Sequence, residues 1–200
     1  RKGVERIIRY AFETAKKRGP KPSADKPQVT LIDKANAVRA QDIWTRVFAA
    51  VAAEYPDIAT DHAYIDAACM WMVKNPEWFD VAVSPNLFGD IITDLGAMIQ
   101  GGMGIAASGN IHPGKVSMFE PIHGSAPKYR GQNKANPLTT IMAVSMMLDH
   151  LGEGEASRAV EGAVASLLRS GRIKSLQAGA HATDELGKLV EAEVRAGVTS

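Results

Sequence analysis

The chain has 200 residues, 46% of them hydrophobic and 22% charged, and a formal net charge of +1. That is the composition of a folded globular protein with one large domain or two small ones, and it excludes both the basic field of a nucleic-acid binder and an acidic tail. No apolar run has the length of a membrane span and no signal-peptide pattern opens the chain.

Residues 1–18 read as a helix. Ile7, Ile8, Ala11, Phe12 and Ala15 form an apolar stripe, and Arg1, Lys2, Arg6, Arg9, Lys16, Lys17 and Arg18 supply basic residues around it. The stripe makes this a packed amphipathic helix with a wet basic face, not a nucleic-acid arm. Gly19-Pro20 and Pro22 stop it. The chain opens at Arg1 inside this helix, without an initiator Met, so it is expected to be the C-terminal part of a longer protein. Gln28–Asp33 is a β-branched run that reads as a strand ending at Asp33-Lys34. A helix is predicted over 40–54, with Ile43, Val47, Phe48 and Val51 on one face, and Tyr55-Pro56 closes it. A short strand near Ile58-Ala59 and a helix over 64–73 follow. The lone cysteine, Cys69, sits in that helix among apolar neighbours. It has no intrachain disulfide partner and reads as a packed, inert thiol of a reducing compartment, the cytoplasm.

Phe79–Val83 reads as a strand, Gly89 as the end of a turn, and 90–100 as a helix broken by Gly101, Gly102 and Gly104. Residues 109–131 are rich in Gly, Pro and His, with a short apolar run only at 116–119. They read as a long irregular connection of the kind that is functional or disordered. Asn136 as N-cap and Pro137 as first helical residue then open an apolar helix, 138–151, which Gly152 ends. Helices over 156–169 and 183–195 complete the chain, the second capped by Thr183. Alternating strands and helices imply an α/β protein.

Two stretches carry chemistry. In Asn86-Leu87-Phe88-Gly89-Asp90-Ile91-Ile92-Thr93-Asp94, a helix after Gly89 puts Asp90 and Asp94 on one face, one turn apart. Two anions that close repel unless a cation sits between them, and hard carboxylate oxygens suit Mg²⁺ or Mn²⁺. The plain alternative is an N-capping Asp90 and a solvated Asp94. In Phe119–Tyr129, Gly124 permits close backbone approach, Ser125 offers a hydroxyl and N–H, His123 a ring, and Lys128 a cation. Together they hint at an anionic ligand such as a phosphate, against the alternative of an ordinary turn with a surface lysine. Neither G-x-G-x-x-G nor a P-loop occurs.

Asn86–Asp94 followed by Gly101-Gly102-Met103-Gly104 resembles the signature of the metal-dependent β-decarboxylating dehydrogenases, the isocitrate/isopropylmalate dehydrogenase family. Asp33-Lys34-Ala35-Asn36 resembles their catalytic-lysine segment, and Asp61–Ala67 the helix that brings a further metal-binding aspartate. Phe119–Pro127, with Lys134-Ala135-Asn136-Pro137, resembles their dinucleotide loop. The resemblance implies a mixed sheet flanked by helices in the C-terminal portion of a two-domain protein. Residues 1–105 would be the dimerisation part carrying Lys34 and the metal aspartates, and 106–200 the C-terminal half of the cofactor domain. It further implies that Asp66, Asp90 and Asp94 hold Mg²⁺ or Mn²⁺, with Asp66 and Lys34 contributed across a homodimer interface so that active sites are shared. Lys34 would transfer the proton of the substrate hydroxyl, and Asn36 would line the substrate and nicotinamide region. Glu120 would lie near the nicotinamide, and His123, Gly124, Ser125, Ala126 and Asn136 would hold the adenosine half.

The implied reaction is oxidative decarboxylation of a 3-carboxy-2-hydroxy acid with NAD(P)⁺, 3-isopropylmalate and hence leucine biosynthesis being favoured. A metal chelated by such a substrate acidifies its hydroxyl, and a lysine beside a cation is driven toward its neutral, proton-accepting form. Lys128-Tyr129 resembles the NADP-dependent isocitrate enzymes and would attract a 2′-phosphate, where NAD-using branches carry an acidic residue. Ser108-Gly109-Asn110-Ile111-His112-Pro113 looks instead like the isopropylmalate-type members, which use NAD. NADP acceptance is the expectation. The rivals are an isocitrate, homoisocitrate, D-malate or tartrate dehydrogenase, a non-catalytic regulatory subunit of the same fold, and a nucleic-acid module, for which no recognition motif is present. A membrane partner is not expected.

Overall fold

In a computed structural model of the chain, residues 1–112 and 114–198 are described; Pro113, the last residue of the Ser108–Pro113 run, lies outside them. The chain divides into two compact units, Arg1–Ile99 and Gln100–Ser200.

The first unit opens with helix α1 (Lys2–Arg18), in which Ile8, Ala11, Phe12 and Ala15 are buried. These positions follow the i, i+3, i+4, i+7 rule of one helical stripe. Ile7, expected in the stripe, falls one step off it and is 43% exposed. Strand β1 (Gln28–Asp33) is the centre of a parallel sheet of order β2-β1-β3, completed by β2 (Ala59–Tyr64) and β3 (Val81–Val83). Being central, β1 is buried on both faces, as parallel strands are. Val29 and Leu31 pack with Phe12, Val47, Phe48 and Val51 of α1 and α2 (Asp42–Ala52). Ile32 packs on the other side with Ala68 of α3 (Ile65–Lys74) and Ile92 of α4 (Asn86–Ile99), where Cys69 is also found. Phe12 stacks on Tyr55 with centroids 4.9 Å apart. Arg9 forks onto Glu54 at 2.7 and 2.8 Å, and this holds the Glu54 carboxyl below its ordinary range.

Several boundaries differ from those read in the sequence. Residues 39–41 form a 3₁₀ turn before α2, which starts at Asp42. β2 extends to Tyr64, because every residue of β1 finds a partner along it, Gln28 opposite Ala59 through Asp33 opposite Tyr64. Its side chains are mostly exposed, so apolar patterning could not mark it. β3 is confined to Val81–Val83, since Pro76–Trp78 turn as a 3₁₀ helix just before it. Helix α4 starts at Asn86, four residues earlier than expected: the Pro85 carbonyl accepts from the N–H groups of Phe88 and Gly89 at 3.0 and 2.9 Å. Gly89 is therefore inside the helix rather than at a turn. Asp90 is a helix-interior residue and not an N-cap.

The second unit contains an antiparallel pair, β4 (Ala107–Asn110) and β5 (Met118–Pro121). The 109–131 stretch is thus not irregular throughout. The hairpin escaped detection because β4 is Ala-Ser-Gly-Asn, a sequence without strand propensity. Gly109 serves it by size, since a Cβ there would sit 3.1 Å from the Phe119 ring and from Met146 Sδ. Helices α5 (Leu138–His150), α6 (Gly154–Arg169) and α7 (Thr183–Val198) form the core through Leu138, Val164, Leu167, Leu186 and Val190, and Ile173 of the α6–α7 connection joins it. The N-cap of α5 is Pro137, one place from the residue expected, but Asn136 Oδ1 still accepts the Leu138 N–H at 2.9 Å. Thr183 does not cap α7; its hydroxyl donates to the Ala135 carbonyl at 2.6 Å. Met103, on the glycine turn, accepts from the Thr139 hydroxyl at 3.1 Å, and Ile105 joins this core, so 100–105 belong to the second unit. No helix among the described residues is long and apolar enough to cross a membrane.

Candidate active site

All three strands of the parallel sheet point the same way, and the residues singled out in the first unit follow their carboxyl ends. Lys34 comes directly after β1, Asp66 two residues after β2, and α4 follows β3. The carboxyl edge of a parallel sheet is where α/β proteins bind ligands, because the chain turns there and exposes helix N-termini.

Lys34 is brought to Asp66: its Nζ donates to Asp66 Oδ1 at 2.6 Å. Asp33 lies opposite Tyr64 in the register, so the residues that follow each strand emerge as neighbours. Asp66 sits in the first turn of α3. The Lys34 hydrogen bond, and then the backbone N–H at the helix start, hold its carboxyl below the usual carboxylate range. The Lys34 turn is itself built. Its backbone N–H donates to Gln41 Oε1 at 2.6 Å, and its carbonyl accepts from Ala37 and Val38. Behind it Asp33 is fully buried; its Oδ1 accepts from Ala35 N–H at 2.9 Å and lies 3.1 Å from His62 Nε2. The other oxygen, Oδ2, is buried without a partner. This pair was not singled out in the sequence, where Asp33 read as a strand end; only its full burial reveals it. Asp33→Ala leaves the Ala35 N–H without its acceptor, and is expected to destabilise the protein by about 2–3 kcal/mol in denaturant melts. An unchanged midpoint would contradict a structural role for this carboxylate.

Asp90 and Asp94 are exposed, one turn apart on α4. Between them Thr93 turns its hydroxyl back to the Gly89 carbonyl at 2.8 Å and leaves the carboxylates to solvent. Two hard anions so placed fit a small divalent cation and leave room in its shell for further oxygens. Among the described residues of one chain, no three His, Cys, Asp or Glu side chains gather into a metal site. Asn36 is exposed in the turn after Lys34.

In the second unit Glu120 lies on β5 opposite Ser108, with its Oε1 3.5 Å from Asn110 Nδ2. His123 Nδ1 lies 2.9 Å from the Gly124 carbonyl within the following turn. Gly124 and Ser125 are exposed, and Ala126 is left-handed, with φ 43 and ψ 57. A non-glycine residue in that region stores strain of the kind found at ligand clamps. Lys128 Nζ lies 4.9 Å from the centroid of the Tyr129 ring, so an exposed cation and a half-buried ring form one unit. Both functional groups of the Asn136 side chain are engaged, Nδ2 with the Leu176 carbonyl at 2.9 Å and Oδ1 with Leu138 N–H.

The sequence profile of the isocitrate/isopropylmalate dehydrogenase family matches residues 1–190. With nearly its whole length so matched, the chain belongs to that family. A 3-isopropylmalate dehydrogenase from Thermobifida fusca (strain YX) is 47% identical over 192 residues, which are 94% of this chain and 51% of that protein. Another from Streptomyces coelicolor is 46% identical over 96% of this chain and 53% of its own length. Among solved structures, isocitrate dehydrogenase from Methylococcus capsulatus superposes with a TM-score of 0.87 at 40% identity, covering 97% of this chain and 56% of that one. The chain thus spans about half the length of the curated relatives it matches.

Proposed function

We propose that the complete protein carrying this chain oxidatively decarboxylates a 3-carboxy-2-hydroxy acid, with 3-isopropylmalate the favoured substrate. The observation that carries this is the Lys34–Asp66 pair, 2.6 Å apart, on the same sheet edge from which α4 leads to Asp90 and Asp94. The names of the relatives at 46–47% identity favour isopropylmalate. Lys34 receives the proton of the substrate hydroxyl as the hydrogen on the same carbon departs with its electron pair to a nicotinamide dinucleotide. The 3-carboxy-2-oxo acid so formed releases its carboxylate as CO₂, and the carbon left behind takes a proton. Asp66 keeps the Lys34 amine aimed, and the Gln41 and Asp33 contacts hold the turn that carries it. Asp90 and Asp94, with Asp66 of a second copy, would hold Mg²⁺ or Mn²⁺, which when bound acidifies the hydroxyl and offsets the charge that develops during decarboxylation.

The second copy is argued from exposed apolar side chains. Leu87, Ile91 and Met98 on α4 are 67, 55 and 63% exposed, and Met70 and Val73 on α3 are each 64% exposed. Such a surface on packed neighbouring helices suits a protein partner. At 3.6 residues per turn Asp90 and Asp94 fall beside the α4 stripe, so a copy docked there meets the carboxylates. The first unit would then be the dimerisation and metal-bearing part, and the second the half of the cofactor domain carrying Glu120, His123–Ala126 and Asn136. Packing of the lone Cys69 in a core supports a reducing compartment, the cytoplasm.

For the dinucleotide, Lys128 stacked on Tyr129 favours NADP acceptance, and the same pair is what favours isocitrate as the alternative substrate. Lys128→Asp is expected to weaken NADP⁺ binding by roughly 30-fold relative to NAD⁺, the worth of a charged phosphate contact. An NADP⁺ to NAD⁺ affinity ratio that the substitution leaves unchanged would sink this assignment. A non-catalytic regulatory subunit is disfavoured by retention of Lys34 and all three aspartates. Turnover of the complete protein with each hydroxy acid, both dinucleotides and Mg²⁺ decides: 3-isopropylmalate is expected to be oxidised, and no turnover with any combination would leave the regulatory reading standing.

A further inference from the structure

Residues 133–136 are pinned to the 176–184 segment by a mesh of hydrogen bonds, of which the site above includes only the one from Asn136. Asn133 Nδ2 donates to Asp184 Oδ1 at 2.6 Å, and the Asp184 N–H returns to Asn133 Oδ1 at 3.3 Å. The Thr183 N–H donates to the Asn133 carbonyl at 3.1 Å, and the Thr183 hydroxyl to the Ala135 carbonyl at 2.6 Å. The Gly179 N–H donates to the Lys134 carbonyl at 3.0 Å, and Asn136 Nδ2 to the Leu176 carbonyl at 2.9 Å. The 176 carbonyl is in turn pressed against Gly104, where a Cβ would come within 2.5 Å of it.

What this mesh fixes is the end of a segment with little regular structure of its own. Between Ala126 and Asn133 the chain makes a 3₁₀ turn and a run of turns, closed internally by Tyr129 N–H to the Ala126 carbonyl at 2.9 Å and Gln132 Nε2 to the Lys128 carbonyl at 2.7 Å. Both of its ends are left-handed non-glycine residues, Ala126 at φ 43 and Asn133 at φ 55. Each costs stability unless neighbours over-determine it. At the Ala126 end the chain comes from β5; at the Asn133 end it is held by the start of α7. A loop already fixed in one conformation binds its ligand without paying to order itself.

We propose that Asn133, Thr183 and Asp184 are positioning residues that lock the 126–136 loop in the conformation that receives the nucleotide half of the dinucleotide, so that the first turn of α7 sets cofactor affinity without touching the reacting atoms. This rests on the dinucleotide reading of that loop given above. The test is calorimetric titration of the complete protein with NAD⁺ and NADP⁺, alongside steady-state kinetics. Thr183→Val, which removes the hydroxyl at near-constant volume, raises the dinucleotide Kd and KM about tenfold, the worth of one such hydrogen bond. It leaves kcat and the hydroxy-acid KM near wild type, and Thr183→Ser restores the affinity. Asp184→Ala, at an exposed site, gives the same KM-only signature should the valine variant fold poorly. Variants with lowered melting temperatures and wild-type dinucleotide Kd would overturn the proposal by showing a purely structural mesh. A wild-type protein that oxidises no hydroxy acid and binds neither dinucleotide would overturn the parent reading and this inference with it.

Discussion

Lys34→Met in the complete protein lowers kcat by ~10²–10⁴-fold, the usual worth of a positioned proton-transfer group, and leaves the dinucleotide Kd unchanged. Methionine keeps the apolar stem and removes only the amine. The Lys34–Asp66 pair has an Asp66 side chain that is 69% exposed, so its loss costs little stability. A small change in melting temperature beside a large change in kcat is the combination that marks chemistry rather than folding. Steady-state rates and a thermal melt on the same preparation provide both readings. Wild-type kcat in this variant would remove Lys34 from the reaction.

The second large effect is expected at the aspartate pair, and there stability and function move in opposite directions. Asp90 and Asp94 are like charges at i and i+4 of α4, an arrangement that costs a few tenths of a kcal/mol in the absence of a cation. Asp94→Asn relieves that repulsion, so the metal-free variant should melt slightly above the wild type. Mn²⁺ at about 100 times its wild-type Kd should stabilise the wild-type protein by about 2.7 kcal/mol. The variant should gain almost none of this, and should lose turnover with it. Equal stabilisation of both proteins by Mn²⁺ would move the metal elsewhere.

How much of this was legible in the sequence depended on where burial leaves a pattern. α1 was readable because its apolar residues repeat at the helix period, and β1 because it is a short β-branched run packed on both faces. β2 was not, since its six residues are almost all exposed and its register is set by backbone pairing with β1. The start of α4 was displaced by reading Gly89 as punctuation, whereas the Pro85 carbonyl starts the helix and carries it through the glycine. That error left the site intact, since Asp90 and Asp94 share a face wherever the helix begins. The Asp33 carboxylate and the Asn133–Asp184 mesh were illegible for another reason. They are contacts between residues 29 and 51 positions apart along the chain or hidden by burial, and no local period announces them. The family signature marked Lys34 and the three aspartates as candidates, while the geometry revealed the contacts that build the turns around them.

Sharing of the site between two copies is tested most directly by mixing two dead variants. Lys34→Met and Asp94→Asn proteins are refolded together at equal concentration and assayed for turnover. If Lys34 of one copy serves the aspartates of the other, each mixed dimer of a two-fold assembly contains one intact site and one doubly damaged site. Random pairing then restores about a quarter of the wild-type rate. A mixture as inactive as its two components would place Lys34, Asp90 and Asp94 of one chain in the same site and contradict a shared one.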